Sequence, residues 1–298
     1  MIINQELLNK GLSINSNILF EANQLGLVNS NQANTLSFID DEKFLSELNS
    51  NNNISVVITT IDFESKINKT KKIIIVDDSR YHFYKLLNYT GKSNYVKSDS
   101  FIDKSSIIHT TAHIAEHNVT IGKNTIIGPN VTIMADVIIG DNCVIQPGTV
   151  VGSEGFEYKR TTKGILPVFH DGKVVIGNNV DIGSNTCIDK GFSFKTTIIE
   201  DEVKIDNLIH VAHGVHIKKG AFIIAGTVLG GSTVIGENSW ISINASISPG
   251  ITVGSKGFVS MGAVVTRNVE DNQQVTGNLA VPHPQFLKIF KKNLKDIS

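Results

Sequence analysis

From about residue 100 onward, aliphatic residues recur every six positions. Ile121, Ile127, Ile133, Ile139, Ile145 and Val151 form one run, and Ile176, Ile182 and Ile188 a second. A third run is unbroken from Ile199 through Val211, Ile217, Leu229, Ile235 and Ile247 to Val265. An upstream trio, Ile102, Ile108 and Ile114, keeps the period but is out of phase by one residue. A period of six does not fit the 3.6 residues of a helical turn, so amphipathic helices are excluded over this stretch.

A second, small or β-branched residue stands two positions before the aliphatic one, as at Thr125, Val131, Cys143, Thr149, Thr227, Thr233 and Ala245. Gly often follows it, as at Gly122, Gly128, Gly140 and Gly236. This is the hexapeptide pattern of a parallel β-helix. Each unit is one short strand and a corner, and three units close a triangular coil. The aliphatic residue points into the prism, and its inward neighbour near the corner must be small. Gly and Asn at the corners supply backbone angles that other residues resist. The repeats predict about eight coils, a prism roughly 40 Å tall at the usual strand spacing.

Two segments break the period: residues 152–174, GSEGFEYKRTTKGILPVFHDGKV, and DKGFSFKTTI after Ile188. Loops ejected from a solenoid are either binding elements or surface decoration. Residues 1–98 lack the repeat. NISVVITT and KKIIIVDD read as buried strands, and DDEKFLSELN and SRYHFYKLLNYTG as helices, the first preceded by acidic capping candidates. The expected organisation is a small α/β domain over 1–98, a β-helix over 99–268 and a C-terminal tail over 269–298. In that tail Phe286, Phe290, Leu294 and Ile297 recur at helical spacing, with Lys288, Lys291, Lys292 and Lys295 on other faces. This helix either docks on its own protein or offers a basic contact to an acidic carrier protein.

A net charge of −1 gives no case for a nucleic-acid partner. The two cysteines, Cys143 and Cys187, fit no disulfide framework or paired metal site, which suits a reducing cytoplasm. No secretory signal pattern and no apolar run long enough to span a membrane is expected.

With a uniformly aliphatic interior, chemistry must sit outside the prism. The segment IDNLIHVAHGVHIKKG carries His210, His213 and His216. His210 and His216 each precede an inward aliphatic residue, so both should point outward. His213 falls at a corner, where an imidazole suits proton transfer from an amine. One coil above, Gly231 leaves room and exposes a backbone N–H suited to an oxyanion. His109, His113 and His117 are spaced by four, but strand-and-corner geometry should scatter them, so a zinc reading of the carbonic-anhydrase kind is weak. No nucleophile elbow, Walker loop or dinucleotide fingerprint is present.

These residues together resemble the UDP-3-O-acylglucosamine N-acyltransferases of lipid A synthesis. The likeness runs through LSFIDDEKF, GSEGFEY (Gly152 to Tyr158), CIDKG (Cys187 to Gly191), TTII (Thr196 to Ile199) and IDNLIHVAHGV (Ile205 to Val215). It implies a mainly β fold, a left-handed parallel β-helix with a small N-terminal α/β domain and a short C-terminal helix. It implies His213 as catalytic base, with Asp206 and Asn207 matching the motif around it and Asp206 a candidate to orient the base. Phe38 and Phe44 would contact the nucleobase. It further implies a homotrimer with active sites between subunits, a nucleotide-linked amino sugar acceptor, an acyl-CoA or acyl carrier protein thioester as co-substrate, no bound cofactor and no metal. The sequence departs from the family in Gly214, where Asn is usual, and in Gly250 followed by Ile251, where a second histidine is usual.

The expected function is therefore an N-acyltransferase acting on a nucleotide-linked amino sugar for surface polysaccharide or lipopolysaccharide synthesis. The alternatives are the lipid A enzyme proper, UDP-3-O-(3-hydroxyacyl)glucosamine N-acyltransferase, and a non-catalytic β-helix binding scaffold.

Overall fold

Three parallel sheets of eight, nine and eight strands, each strand two to five residues long, stack into a prism. The computed structural model describes residues 3–12, 19–192, 195–277 and 280–295. In uninterrupted coils, partners lie eighteen residues apart, as Thr120 with Ile138 and His210 with Val228. The first coil pairs Ile102 with Ile121 and Ile114 with Ile133, nineteen apart, which explains the phase slip in the upstream trio. The extra residue is absorbed before Asn118, whose φ of 58° turns the chain.

The inward aliphatic residues form one continuous core from Val119 to Val269. Each fully buried Ile or Val contributes roughly 1.5–3 kcal/mol relative to an exposed one. The hydroxyls at the small inward position are paired: Thr125 Oγ1 donates to Gly140 O at 2.9 Å and Thr149 Oγ1 to Gly183 O at 2.7 Å. That matters because an unpaired buried hydroxyl would be costly in so dry an interior. Corners are held in the left-handed region chiefly by Asn, with Asn118, Asn124, Asn130 and Asn142 all between 54° and 58° in φ. Asn tolerates that region better than other side chains.

The N-terminal domain is a parallel sheet of Gln24–Leu25, Thr35–Phe38, Ile54–Thr59 and Lys72–Ile75, in sequence order. The predicted strands are present. DDEKFLSELN forms a short turn of 3-10 helix at Glu42–Phe44 and then the helix Leu45–Ser50. The Asp41 carboxylate accepts the Lys43 N–H at 3.1 Å. Helix Ser79–Ser93 opens on Asp78, which accepts the Tyr81 N–H at 2.8 Å, and buries Phe83, Leu86 and Leu87 in the domain core.

Residues 152–174 are no surface decoration. They form an antiparallel hairpin, Tyr158–Thr161 with Gly164–Pro167, that leans on helix Ser79–Ser93. The Thr162 N–H and hydroxyl donate to Asp78 Oδ2 at 2.6 and 2.7 Å. Asn88 holds both ends of the next stretch, donating to Pro167 O at 2.8 Å and accepting the Phe169 N–H at 2.7 Å. Val168 and Phe192, from the two interruptions, join the core of the N-terminal domain. A boundary near residue 98 therefore divides the chain in sequence, while the hairpin crosses it in packing. The C-terminal helix spans His283–Lys295, with Phe286, Leu287 and Ile289 exposed. Ile297 and the side chains of Phe290, Lys291, Lys292, Leu294 and Lys295 lie outside the described residues.

Candidate active site

His213 occupies the corner between strands His210–Val211 and His216–Ile217. His210 and His216 point outward as their register predicts, and His216 Nε2 lies 2.6 Å from Glu200 Oε1. The His213 ring is only 16% exposed. It packs edge-on to Phe192, with ring centres 4.8 Å apart, and 6.1 Å from His170. Glu157, carried in by the ejected loop, brings Oε2 to 3.5 Å from His213 Nε2. Nδ1 is buried and makes no hydrogen bond among the described residues.

Gly155 makes this crowding possible. Its N–H donates to His170 Nε2 at 3.1 Å, and a Cβ there would lie 3.1 Å from His213 Cδ2 and 3.2 Å from Asp189 Oδ2. On the other side, Gly231 lies against the imidazole, and its N–H has no acceptor among the described residues. Burial pulls the His213 pKa below the ordinary 6.5; Glu157 and Asp189 push it back up, while His170 and Lys195 push it down. A neutral imidazole beside a carboxylate and a free N–H can accept a proton at one point and steady an oxyanion at another.

Asp189 is a buried hub. It accepts the Ser153 hydroxyl at 2.8 Å, lies 3.6 Å from Cys187 Sγ, and has Oδ2 3.8 Å from His210 Nε2. Cys187, Asp189 and His210 each place one ligand-type atom within 4.8 Å of the others, and among the described residues no other such trio occurs. Cys187 Sγ hydrogen-bonds to Asp189, whereas His210 approaches that carboxylate only to 3.8 Å, beyond hydrogen-bond reach. His109, His113 and His117 are scattered as expected: His109 Nδ1 pairs with Thr111 Oγ1 at 2.9 Å, and His117 packs on Tyr95.

Phe38 and Phe44 line one cavity of about 530 Å³ with Arg80, Tyr84, Tyr158 and Lys159. Phe38 stacks on Phe83 with ring centres 4.7 Å apart, whereas Phe44 is 38% exposed. Arg80 Nε donates to Asp40 Oδ2 at 2.6 Å. Lys159 pairs with Glu157 and sits 4.6 Å over the Tyr84 ring. Burial, the largest single influence, lowers the Lys159 pKa, but Tyr84 and Glu157 together outweigh it and hold the ammonium above its ordinary value. A second cavity of about 630 Å³, lined by Tyr95, Asn118 and Asp136, opens where the domain meets the first coils and is not lined by His213.

Asp206 is not brought to His213. Its Oδ1 accepts the Asn207 N–H at 2.8 Å and Nδ2 at 3.0 Å, and its Oδ2 accepts the Ala225 N–H at 3.2 Å. Asn207 Oδ1 accepts the Ser184 N–H at 2.7 Å. The pair thus tie one corner to the coils above and below, as Asp141, Asn178 and Asp201 do elsewhere. Gly214 and Gly250 both hold positive φ, at 68° and 74°. The acid beside His213 is instead Glu157, two residues before Lys159 in the GSEGFEYK stretch. An acid and a base two positions apart in an ejected loop was the available signal, and contact with a histidine over fifty residues later was not.

Two family models describe this geometry. Bacterial transferase hexapeptide (six repeats) matches residues 118–153, and the hexapeptide repeat of succinyl-transferase matches 173–207 and 232–267. Both models match within the prism, which is a parallel β-helix of hexapeptide repeats. Within that class, the family it resembles is the UDP-3-O-acylglucosamine N-acyltransferases. The protein of that name from Saccharophagus degradans is 55% identical over 62 residues, 21% of this chain and 18% of that protein. The Rickettsia akari protein of the same name is 56% identical over 64 residues, again 21% and 18%. The matched stretch thus spans less than a fifth of these relatives. Among solved structures, UDP-N-acetylglucosamine acyltransferase from Campylobacter jejuni is 21% identical with a TM-score of 0.48, over 59% of this chain and 71% of that one. Among the described residues no helix is long and apolar enough to cross a membrane.

Proposed function

We propose that this protein is an N-acyltransferase that moves an acyl group from a thioester to the amine of a nucleotide-linked amino sugar. The names of the matched relatives favour UDP-3-O-acylglucosamine as acceptor, the narrower of the two enzymatic readings of the sequence. His213 takes the proton as the amine adds to the thioester carbonyl. The Gly231 N–H steadies the oxyanion, and the thiol leaves. Phe38 and Phe44 hold the nucleobase, with Arg80 and Lys159 as cations for its phosphates. The donor is acyl-CoA or acyl carrier protein, and the exposed Phe286, Leu287, Lys288 and Ile289 of the C-terminal helix suit the latter. The working unit is a homotrimer.

The observation that carries this reading is one loop joining two sites: Tyr158, Lys159 and Arg160 line the cavity of Phe38 and Phe44, and the preceding residue, Glu157, reaches His213. One specific feature favours the broader reading of other nucleotide amino sugars, namely Ile251 where the family carries its second histidine. Thiol release from acyl-CoA and acyl carrier protein, assayed with UDP-3-O-acylglucosamine and with 3- and 4-amino-sugar nucleotides, separates the readings. Release that needs UDP-3-O-acylglucosamine supports the narrow one. Silence with every acceptor overturns both and leaves the binding scaffold.

A further inference from the structure

We propose that Glu157, shared between Lys159 and His213, couples occupation of the Phe38–Phe44 cavity to the basicity of His213. The inference rests on the proposed roles of that cavity and of His213. Glu157 and Lys159 stand two residues apart with exposed Tyr158 between them, so both turn to the same, inner side of the loop. Their side chains are 15% and 23% exposed. One carboxylate oxygen pairs with the Lys159 ammonium and the other lies 3.5 Å from His213 Nε2. A single negative charge thus serves a cation that lines the nucleotide cavity and an imidazole outside it.

The consequence follows from electrostatics in a poorly solvated place. While Lys159 is paired with Glu157, it offsets the carboxylate and weakens its pull on a proton at His213. A diphosphate in the cavity is a stronger attraction for Lys159, because it carries more charge and because Arg80 stands beside it, lining the same cavity. Once Lys159 turns to the phosphates, Glu157 faces His213 unopposed and stabilises the imidazolium. His213 then becomes the better base only when the acceptor's nucleotide is in place. The other charged or titratable groups that act on His213 are Asp189, His170 and Lys195; none of them lines the cavity, so its occupation acts through Glu157. Glu157 is a positioning residue here, acting through the imidazole.

The test is the titration of His213 in the full-length protein, followed by NMR of histidine labelled at the ring carbon and assigned by loss of its signal in His213→Ala. UDP is the probe, and calorimetry reports whether it binds. In the wild-type protein, UDP should raise the His213 pKa. Lys159→Met should raise it without UDP, and Glu157→Gln should lower it; neither variant should respond further to UDP. Glu157→Asp and Lys159→Gln serve if either first variant fails to fold. A purely structural Glu157 would lower activity and leave this titration where it was. The same UDP-induced rise in Glu157→Gln as in the wild type would overturn the coupling, because the phosphates would then be acting directly. If UDP does not bind, the nucleotide reading of the cavity fails, and an unchanged His213 titration in Lys159→Met separately overturns the link through Glu157.

Discussion

Gly231 lies so close beneath the His213 imidazole that a Cβ at that position would stand 2.7 Å from Nε2 and 3.1 Å from Nδ1. A Cβ essentially never comes as close as 2.7 Å to another heavy atom, so with the ring where it lies this position must be glycine. Its φ is unremarkable for any residue, so the requirement is one of space alone. Gly231→Ala should displace the ring and move the backbone N–H from the oxyanion position. The expected loss in kcat is about a hundredfold, the scale of losing one oxyanion donor. Overpacking of this kind costs about 1–3 kcal/mol in stability. Kinetics and urea unfolding of the same preparation check both; wild-type kcat in a folded Gly231→Ala protein removes Gly231 from the site.

His213→Ala should lower kcat by roughly 10²–10⁴, the usual contribution of a general base, while leaving nucleotide binding intact. The sign of the pH dependence follows from burial. A base works when neutral, and burial lowers the His213 pKa from 6.5, so the acid limb of kcat/KM should fall below pH 6.5. Activity is lost as pH drops through that point and is retained above it. A pH–rate profile of wild type beside His213→Ala checks this; an acid limb that survives in the variant belongs to another group.

The two aromatic residues of the nucleotide cavity should separate cleanly. Phe44 is partly exposed, and among the described residues its ring carries only the Lys43 ammonium, 4.8 Å from its centre. Phe38 is stacked on Phe83 and edge-on to Tyr84. An aromatic contact contributes about 0.5–1.5 kcal/mol beyond burial. Phe44→Ala should therefore weaken UDP binding by roughly 2–13-fold with little change in Tm, whereas Phe38→Ala should lower both. Calorimetric titration with UDP and thermal unfolding of each variant decide it. Unchanged UDP affinity in both variants moves the nucleobase elsewhere.

The β-helix was legible because its rule is local and repeated: one inward aliphatic residue every six positions names the strand, the corner and the coil at once. Even the phase slip at Ile114 marked a real extra residue. The pairing of Gly231 with His213 was also legible, since a fixed eighteen-residue coil converts sequence distance into contact. Glu157 was not. It sits in a loop that leaves the repeat, and no periodicity says where such a loop returns. Its position is set by tertiary ties, Thr162 to Asp78 and Phe169 to Asn88, across about eighty residues of sequence. Asp206 shows the opposite error. It lies near His213 in sequence and in a shared motif, yet its carboxylate is taken up by Asn207 beside it and by Ala225 one coil above.

That difference gives Asp206→Ala a distinctive outcome. The carboxylate accepts three hydrogen bonds, from Asn207 N and Nδ2 and from Ala225 N. Removing it leaves the Ala225 N–H, which is partly buried, without its partner, and frees Asn207 from the geometry in which it accepts the Ser184 N–H. Unsatisfied groups of this kind cost about 1–3 kcal/mol. The variant should therefore unfold at lower urea concentration with an unchanged slope, while the acid limb of kcat/KM stays at its wild-type position, because no part of the carboxylate reaches the imidazole. Glu157→Gln should do the reverse, shifting the acid limb to lower pH with a smaller change in stability, since it removes a charge that favours the imidazolium. Measuring both variants in both assays gives four results, and a shifted acid limb with unchanged stability in Asp206→Ala would return Asp206 to the site and set Glu157 aside.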